Sequence, residues 1–468
     1  MTHAPTSRPH PAALPVIATA QLMLVLDDTI ANIALPAIAD EFALAPAALP
    51  WVINAYVLLF GGLLLLGGKL GDVLGRRRVL VIGLAVFTAA SAVAGLSWSG
   101  EALIAARAVQ GLGAALAAPN LLALIATTFE EGPARNKALA VYGAMSGLGI
   151  IGGVLLGGLL ASTLGWRSVF LINIPVGVAL LLGTRMLGTT QPHRQRLDLP
   201  SAIVGTVGLI ALVFAITQAS ELGWAAPLVL ISGTVGIVLL LVFVIMQRTR
   251  TEPMLPLTVF HDLSRSASYL VVLFIGAGLM GTFYLLTLYF QNVAGMDQMM
   301  TGLAFLPFSF GVIIASVIGG KLVVERLPAR LIAATGLVIA AGGLFWLATI
   351  TPETTYFPHI AIALFLAALG LGGAFVVLTL TAVRDLPVRT AGIGSSLVNS
   401  AQQIGAALGL AIFTAVSAAA SAMDTHGDTR TAIAAGYGTA FGIAAALMLV
   451  GAIIVAVGVR TPRPQAHQ

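Results

Sequence analysis

Fourteen apolar runs, each close to 20 residues long and separated by short polar punctuation, constrain this chain more than any other feature. They lie near 15–37, 51–70, 79–97, 102–127, 138–161, 168–187, 200–217, 226–246, 267–290, 302–323, 331–350, 359–383, 392–419 and 436–459. The hydrocarbon core of a bilayer needs about 20 consecutive apolar residues per helix. Lipid offers no hydrogen bonds, so each segment must satisfy its own backbone. The expected fold class is therefore all-α integral membrane, with fourteen transmembrane helices. With 58% hydrophobic and 9% charged residues and a mean hydropathy of +1.01, the chain has no room for a soluble domain between spans. Cysteine is absent, which excludes a disulfide framework, a thiol nucleophile and Cys-based metal sites. The first run is itself span-length and is followed at once by others, so no cleavable signal peptide is expected.

An even number of spans puts both termini on one side, and the placement of Lys and Arg decides which. Lys69, Arg76, Arg77, Arg78, Arg135, Lys137, Arg194, Arg196, Arg248, Arg250, Lys321, Arg326, Arg330, Arg384 and Arg389 share the side of the termini, whereas Arg167 and Arg430 fall on the other. Both termini are expected in the cytoplasm, with the chain in the cytoplasmic (inner) membrane. The net charge of +5 and pI near 9.8 reflect these loops, so no nucleic-acid partner is expected.

Against this background the stretch LDDTIANIALP, Leu26 to Pro36, is costly, because it places Asp27 and Asp28 inside an apolar run. An intramembrane acid is protonated, paired or facing a wet cavity, and marks a functional site by default. Two neighbouring carboxyls cannot both carry charge cheaply at that depth, so the pair is a natural place for a proton. Successive helical residues point about 100° apart, so the two acids cannot face one point. Asp27 is the favoured carrier; Asp28 either lines a pocket or pairs structurally. Arg107 lies mid-span in LIAARAVQGLGAA and needs an acceptor, which the span-one carboxylates supply. No histidine lies mid-span to offer a competing relay.

GGKLGDVLGRR at Gly67 to Arg77 returns in degraded form as GGKLVVERLPAR at Gly319 to Arg330, an internal echo of the kind that marks duplicated transporters. In YGAMSGLGIIGGVLLGG, Tyr142 to Gly158, Gly149, Gly153 and Gly157 share one helix face and allow close approach by a partner helix.

GKLGDVLGRRRVL at Gly68 to Leu80, LDDTIANIALP, the Arg-Ala-Val-Gln-Gly of span four, WRSVFLINIPVG at Trp166 to Gly177, LYFQNVAGM at Leu288 to Met296 and SSLVNSAQQIGAALG at Ser395 to Gly409 together resemble the major facilitator superfamily. With fourteen spans, the chain is similar to its drug:proton antiporter family. The resemblance implies two six-helix bundles plus two extra central helices: a tail at 1–14, an N-terminal bundle at 15–187, a linker with the inserted pair at 188–265, a C-terminal bundle at 266–459 and a tail at 460–468. It also implies a proton-coupled antiporter that exports hydrophobic drugs or antibiotics from the cytoplasm by alternating access. The energy source is then the proton gradient, with no cofactor and no metal. The implied partners are a small amphiphilic substrate, protons and the lipid bilayer, and the chain is expected to be a monomer.

Residue by residue, the resemblance assigns proton coupling to Asp27 and Arg107, with Asp28 beside them. It assigns a conformational latch to Gly68, Asp72, Gly75, Arg76 and Arg77. Physically, Asp72 would approach a helix N-terminus while Arg76 and Arg77 reach Glu130 or Glu131. The antiporter-motif helix carries Gly149, Gly153, Gly157 and Gly158, although Val154 stands where the family pattern has proline, removing the usual kink. A substrate cavity is suggested by Asn32, Asn54, Tyr56, Gln110, Tyr142, Tyr284, Asn399 and Gln403, with Asn120, Asn173, Phe283, Gln291 and Gln402 as further polar or aromatic residues at depth. The competing functions are a narrow exporter of one metabolite, siderophore or lipid, and an uncoupled facilitator on the same fold. An enzyme is not expected, since no nucleophile with a base, HExxH motif or phosphate-binding loop is present.

Overall fold

The computed structural model describes residues 12–130, 132–188, 197–251, 253–325, 328–383, 388–423 and 428–459, without the side chains of 136, 146, 316–325 and 388–392. Glu131 and both expected tails beyond residues 12 and 459 lie outside these residues, as do 326–327 of the second repeat copy.

All regular structure among the described residues is helical, and fourteen helices are long and apolar enough to cross a membrane. The first six are α1 (Ala13–Phe42), α2 (Trp51–Leu74), α3 (Arg76–Gly95), α4 (Gly100–Thr128), α5 (Pro133–Leu164) and α6 (Ser168–Met186), the last broken near Ile172. The inserted pair is α7 (Leu199–Leu222) and α8 (Pro227–Thr249). The last six begin with α9 (Leu263–Leu288, extended by the π-helical turn Tyr289–Val293) and α10 (Gln298–Ala304, resuming as Leu306–Glu325). They end with α11 (Ala329–Leu347), α12 (Tyr356–Val383), α13 (Val388–Met423) and α14 (Thr429–Gly458).

These helices form two packed halves. In the first, α4 lies against α2 and α3, and α1 against α5; in the second, α12 lies against α10 and α11, and α9 and α14 flank α13. Without a hydrophobic force between helices in lipid, small residues set these approaches. Gly75, at φ 93°, turns the chain between α2 and α3 with no loop to spare, a conformation that costs glycine little.

The inserted pair is tied to the first half at both ends. The Ala47 amide donates to Glu221 Oε1 at 3.1 Å, and Lys69 Nζ donates to the Pro253 carbonyl at 3.2 Å. α7 packs on both α2 and α13, whereas α8 turns Ile231, Ile237, Leu241 and Ile245 outward, as a lipid-facing helix does.

The halves meet along α2 and α13, where Ser400 Oγ donates to the Gly61 carbonyl at 2.9 Å. They also meet at the end remote from the termini. There, a Cβ on Gly158 of α5 would lie 2.7 Å from the Gln298 carbonyl of α10, and Gln291 Nε2 of the π-turn donates to the Ile33 carbonyl of α1 at 3.0 Å. π-turns inside helices re-aim side chains in this way. Towards the termini, Gly143 and Gly147 of α5 have no described heavy atom near their Cβ positions.

Candidate functional site

Asp27 is fully buried at the junction of α1 with α3, α4 and α6. Arg107 Nη1 of α4 donates to Asp27 Oδ2 at 2.7 Å, while Gln110 Nε2 and Asn173 Nδ2 donate to Oδ1 at 3.0 and 2.7 Å. Charge-assisted bonds of this length are strong, and a buried carboxylate needs them. Arg107, also fully buried, donates through Nε to the Val52 carbonyl at 3.1 Å and through Nη1 to Gln110 Oε1 at 3.0 Å. Its guanidinium lies 4.3 Å from the Tyr56 ring centroid and 5.7 Å from that of Phe170, which adds cation–π attraction in a desolvated setting. Arg107 Nη2 is left without a partner.

Local sequence explains how each group arrives. Arg107 and Gln110 are three apart on α4, so they share a face. Asn173 is the first residue after the break in α6, and this places its amide against α1. Ser91 closes the network: Gln110 Nε2 donates to Ser91 Oγ at 2.7 Å, and that hydroxyl donates to its own Phe87 carbonyl at 2.8 Å. Ser91 carried no signal in the sequence, because a serine back-bonded within an apolar helix looks like filler.

Asp28 points elsewhere. It is partly exposed, and its Oδ1, though shielded, accepts no hydrogen bond. Asn32, one turn on, donates to the Asp28 carbonyl at 3.2 Å and approaches Met280 Sδ of α9 at 4.0 Å, so this face of α1 looks across to the second half.

The glycines of α5 pack against the same helix. Cβ atoms on Gly149, Gly153 and Gly157 would meet Val25, Thr29 and Ile30 of α1, and Thr29 Oγ1 lies 3.4 Å from the Gly149 carbonyl. α5 runs unbroken past Val154, which is fully buried, and the Val154 carbonyl sits against Gly302 of α10. One helix face thus touches the acid-bearing α1 while the adjacent turn touches the opposite half.

The residues expected to form the latch lie at the turn between α2 and α3. Arg76 pairs with Asp72, Nη2 to Oδ1 at 3.1 Å, and donates through Nη1 to the Ala123 carbonyl at 2.9 Å, while Glu131 lies outside the described residues. The i, i+4 spacing across the turn makes the Asp72 pairing the shortest route. Arg77 is partly buried, and Gly68 lies 3.9 Å, at its Cβ position, from Ser396 Oγ of α13.

The cavity candidates divide. Asn54, Tyr56 and Gln403 are buried, each with a side-chain atom lacking a partner. Tyr284 is buried in α9 beside Tyr437, and Tyr142 is partly buried on α5. Asn399 is exposed. Asn120 instead bonds the Gly67 and Leu116 carbonyls at 3.0 and 2.8 Å, which is interhelical glue. Phe283 stacks on Phe305 at 4.8 Å within the second half. Among the described residues no group of His, Cys, Asp and Glu has a metal-binding arrangement.

The chain is 40% identical over 403 residues to the puromycin resistance protein pur8 of Streptomyces alboniger, covering 85% of this chain and 80% of that protein. It is 37% identical to the cephamycin export protein CmcT of Amycolatopsis lactamdurans, covering 86% and 83%. A solved bacterial homolog of the human lysosomal transporter Spinster, in an inward-facing and unoccupied conformation, matches with a TM-score of 0.69 at 17% identity, over 98% of this chain and all of that one. The family model for the Major Facilitator Superfamily matches residues 17–410. The chain is therefore a multi-pass membrane transporter, not an enzyme, and belongs to the Major Facilitator Superfamily.

Proposed function

We propose that the protein is a proton-coupled antiporter that exports hydrophobic drugs or antibiotics from the cytoplasm by alternating access. The observation that carries this reading is the sealed Asp27–Arg107 pair, held by donors from α4 and α6 and built on the helix that α5 clasps. Protonating Asp27 would turn an acceptor of three bonds into a neutral acid, leaving Arg107 without its counter-charge. A buried ion left unpaired costs several kcal/mol, enough to bias a bistable helix packing. The proton is thereby tied to rearrangement around α1, and no cofactor is required.

The resistance and export proteins among the relatives support drug or antibiotic cargo. The basic loops support cytoplasmic termini in the inner membrane. Contact between the halves at the end remote from the termini supports a cytoplasm-open resting state. A second reading, a narrow exporter of one self-made compound, is favoured by those same relatives, whose names each specify a single antibiotic.

The test is export from proteoliposomes under an imposed pH gradient, with Asp27→Asn alongside the native protein. Gradient-driven export is expected to fall by about 100-fold or more, in keeping with the roughly 3–5 kcal/mol cost of breaking a buried pair. Native-like export by Asp27→Asn, independent of the gradient, would sink the coupling and leave an uncoupled facilitator. A resistance screen across unrelated drugs separates broad from narrow cargo.

A further inference from the structure

At the end of the bundle that carries the termini, the inserted pair buries polar groups that the Asp27 network does not use. Asp198 caps α7: its Oδ1 accepts from the Ser201 amide at 3.3 Å, while Oδ2 has no partner although the side chain is only 5% exposed. The fully buried Ser201 hydroxyl and Gln247 Nε2 of α8, on a residue 3% exposed, lack partners as well. The Gln247 amide cannot be turned to relieve this, because its Oε1 accepts from the Leu255 amide at 2.9 Å.

Packing brings these groups together. α7 and α8 are consecutive and packed against each other, and a Cβ on Gly205 would touch the Phe243 ring at 3.0 Å. Ser201 lies one turn before Gly205 and Gln247 one turn after Phe243, so the two share a level. Asp198 and Arg250 meet just beyond them, Oδ1 to Nη2 at 3.6 Å. That separation is too long for a good hydrogen bond, and the Arg250 side chain is 46% exposed, which makes it a loose cover over a buried carboxylate. From α2, Lys69 Nζ reaches the Pro253 carbonyl of the same connection at 3.2 Å, and Leu66, Ala202 and Met254 form an apolar cluster alongside.

Buried polar groups are ordinarily partnered, so this set is prepared for a ligand. Asp198 Oδ2 needs a donor, best a cationic one; Gln247 Nε2 needs an acceptor, and the guanidinium and ammonium beside it favour an anion. One small group that meets both demands carries an ammonium and a phosphate. The position, at basic helix ends beside the lipid-facing α8, is where lipid headgroups lie.

We propose that the cytoplasmic ends of α7 and α8 bind the headgroup of an aminophospholipid. Its primary ammonium donates to Asp198 Oδ2 and the Ser201 hydroxyl, and its phosphate accepts from Gln247 Nε2 and from Arg250 once that side chain swings aside. A bound lipid would pin the inserted pair to the end of α2.

The experiment is native mass spectrometry of the full chain in detergent. It is titrated with dioleoyl phosphatidylethanolamine and, separately, with dioleoyl phosphatidylcholine, whose trimethylated nitrogen has no N–H to donate. The first equivalent of the ethanolamine lipid is expected to bind about tenfold more tightly, the scale of one hydrogen bond to a charged group. Asp198→Asn keeps a capping side chain and is expected to level the two lipids, and Ser201→Ala to narrow the gap. Asp262→Asn, which alters the equivalent cap of α9, should leave it unchanged. Equal binding of both lipids by the native protein, a preference that survives Asp198→Asn, or one lost equally in Asp262→Asn overturns the proposal; the site then holds ordered water only. Should Asp198→Asn fail to fold, Ser201→Ala and Arg250→Gln carry the test, and a full preference in both overturns it. Soluble glycerophosphoethanolamine separates the two sources of this chemistry. Weak competition is expected, and competition as strong as that of the intact lipid would make the ligand a free solute and overturn the lipid assignment.

Discussion

Asp27 accepts hydrogen bonds from three side chains, so removing one neutral donor should loosen the carboxylate without releasing it. Asn173→Ala takes away the 2.7 Å amide donor. It is expected to lower stability by about 1–3 kcal/mol, the cost of leaving a buried acceptor short of a partner, seen as a lower melting temperature in nanodiscs. Arg107→Ala should cost more, because it strips the counter-charge from the pair. The two variants together rank charge above hydrogen bonding at this centre, and equal losses would contradict that ranking. Arg167 and Glu41, paired at 2.7 Å but 38% and 42% exposed, make the contrast at the surface: such pairs contribute little.

At the scale of elements, α5 is the part most finely fitted. Gly153 has Thr29 where its Cβ would be, whereas Gly147 has no described heavy atom within reach. Gly153→Ala is therefore expected to cost about 1–3 kcal/mol by overpacking, and to reduce export by prising α5 from α1. Gly147→Ala should be close to neutral in stability. Val154→Pro tests the residue that departs from the family pattern. A proline there removes a helical hydrogen bond and bends α5 between its contacts with α1 and α10. The expected result is a proton leak or altered coupling ratio in proteoliposomes, and an unaltered leak would mean that the turn is packing alone.

At the scale of the whole molecule, the proposed alternating access requires the halves to part at the end remote from the termini. The absence of native cysteine makes this testable without background. A Cβ on Gly158 would lie 3.2 Å from the Met299 Cα and 2.7 Å from the Gln298 carbonyl, so the two backbones are close enough for a cysteine pair to bridge once this contact gives way slightly. Gly158→Cys with Met299→Cys should cross-link under mild oxidation and stop export, with recovery on reduction. Unimpeded export by the cross-linked protein would show that this contact persists through the cycle.

The chain's own order of residues determined the fourteen spans, because hydropathy over about 20 residues is a local quantity. It also determined that two acids in α1 point apart, because helical geometry fixes the angle between neighbours, and it exposed Arg107 as a guanidinium in need of an acceptor. The α5 glycine face was legible from spacing; its partner α1 was not. Nor was the turn of Arg76 to Asp72 and the Ala123 carbonyl, or the part of Ser91. Only the tertiary structure decided which acid is sealed and which is open. That choice rests on the rotation of α1 about its axis, set by the α5 glycines on one side and by donors from α4 and α6 on the other. Those groups lie 80 to 146 residues away along the chain, beyond the reach of any local pattern.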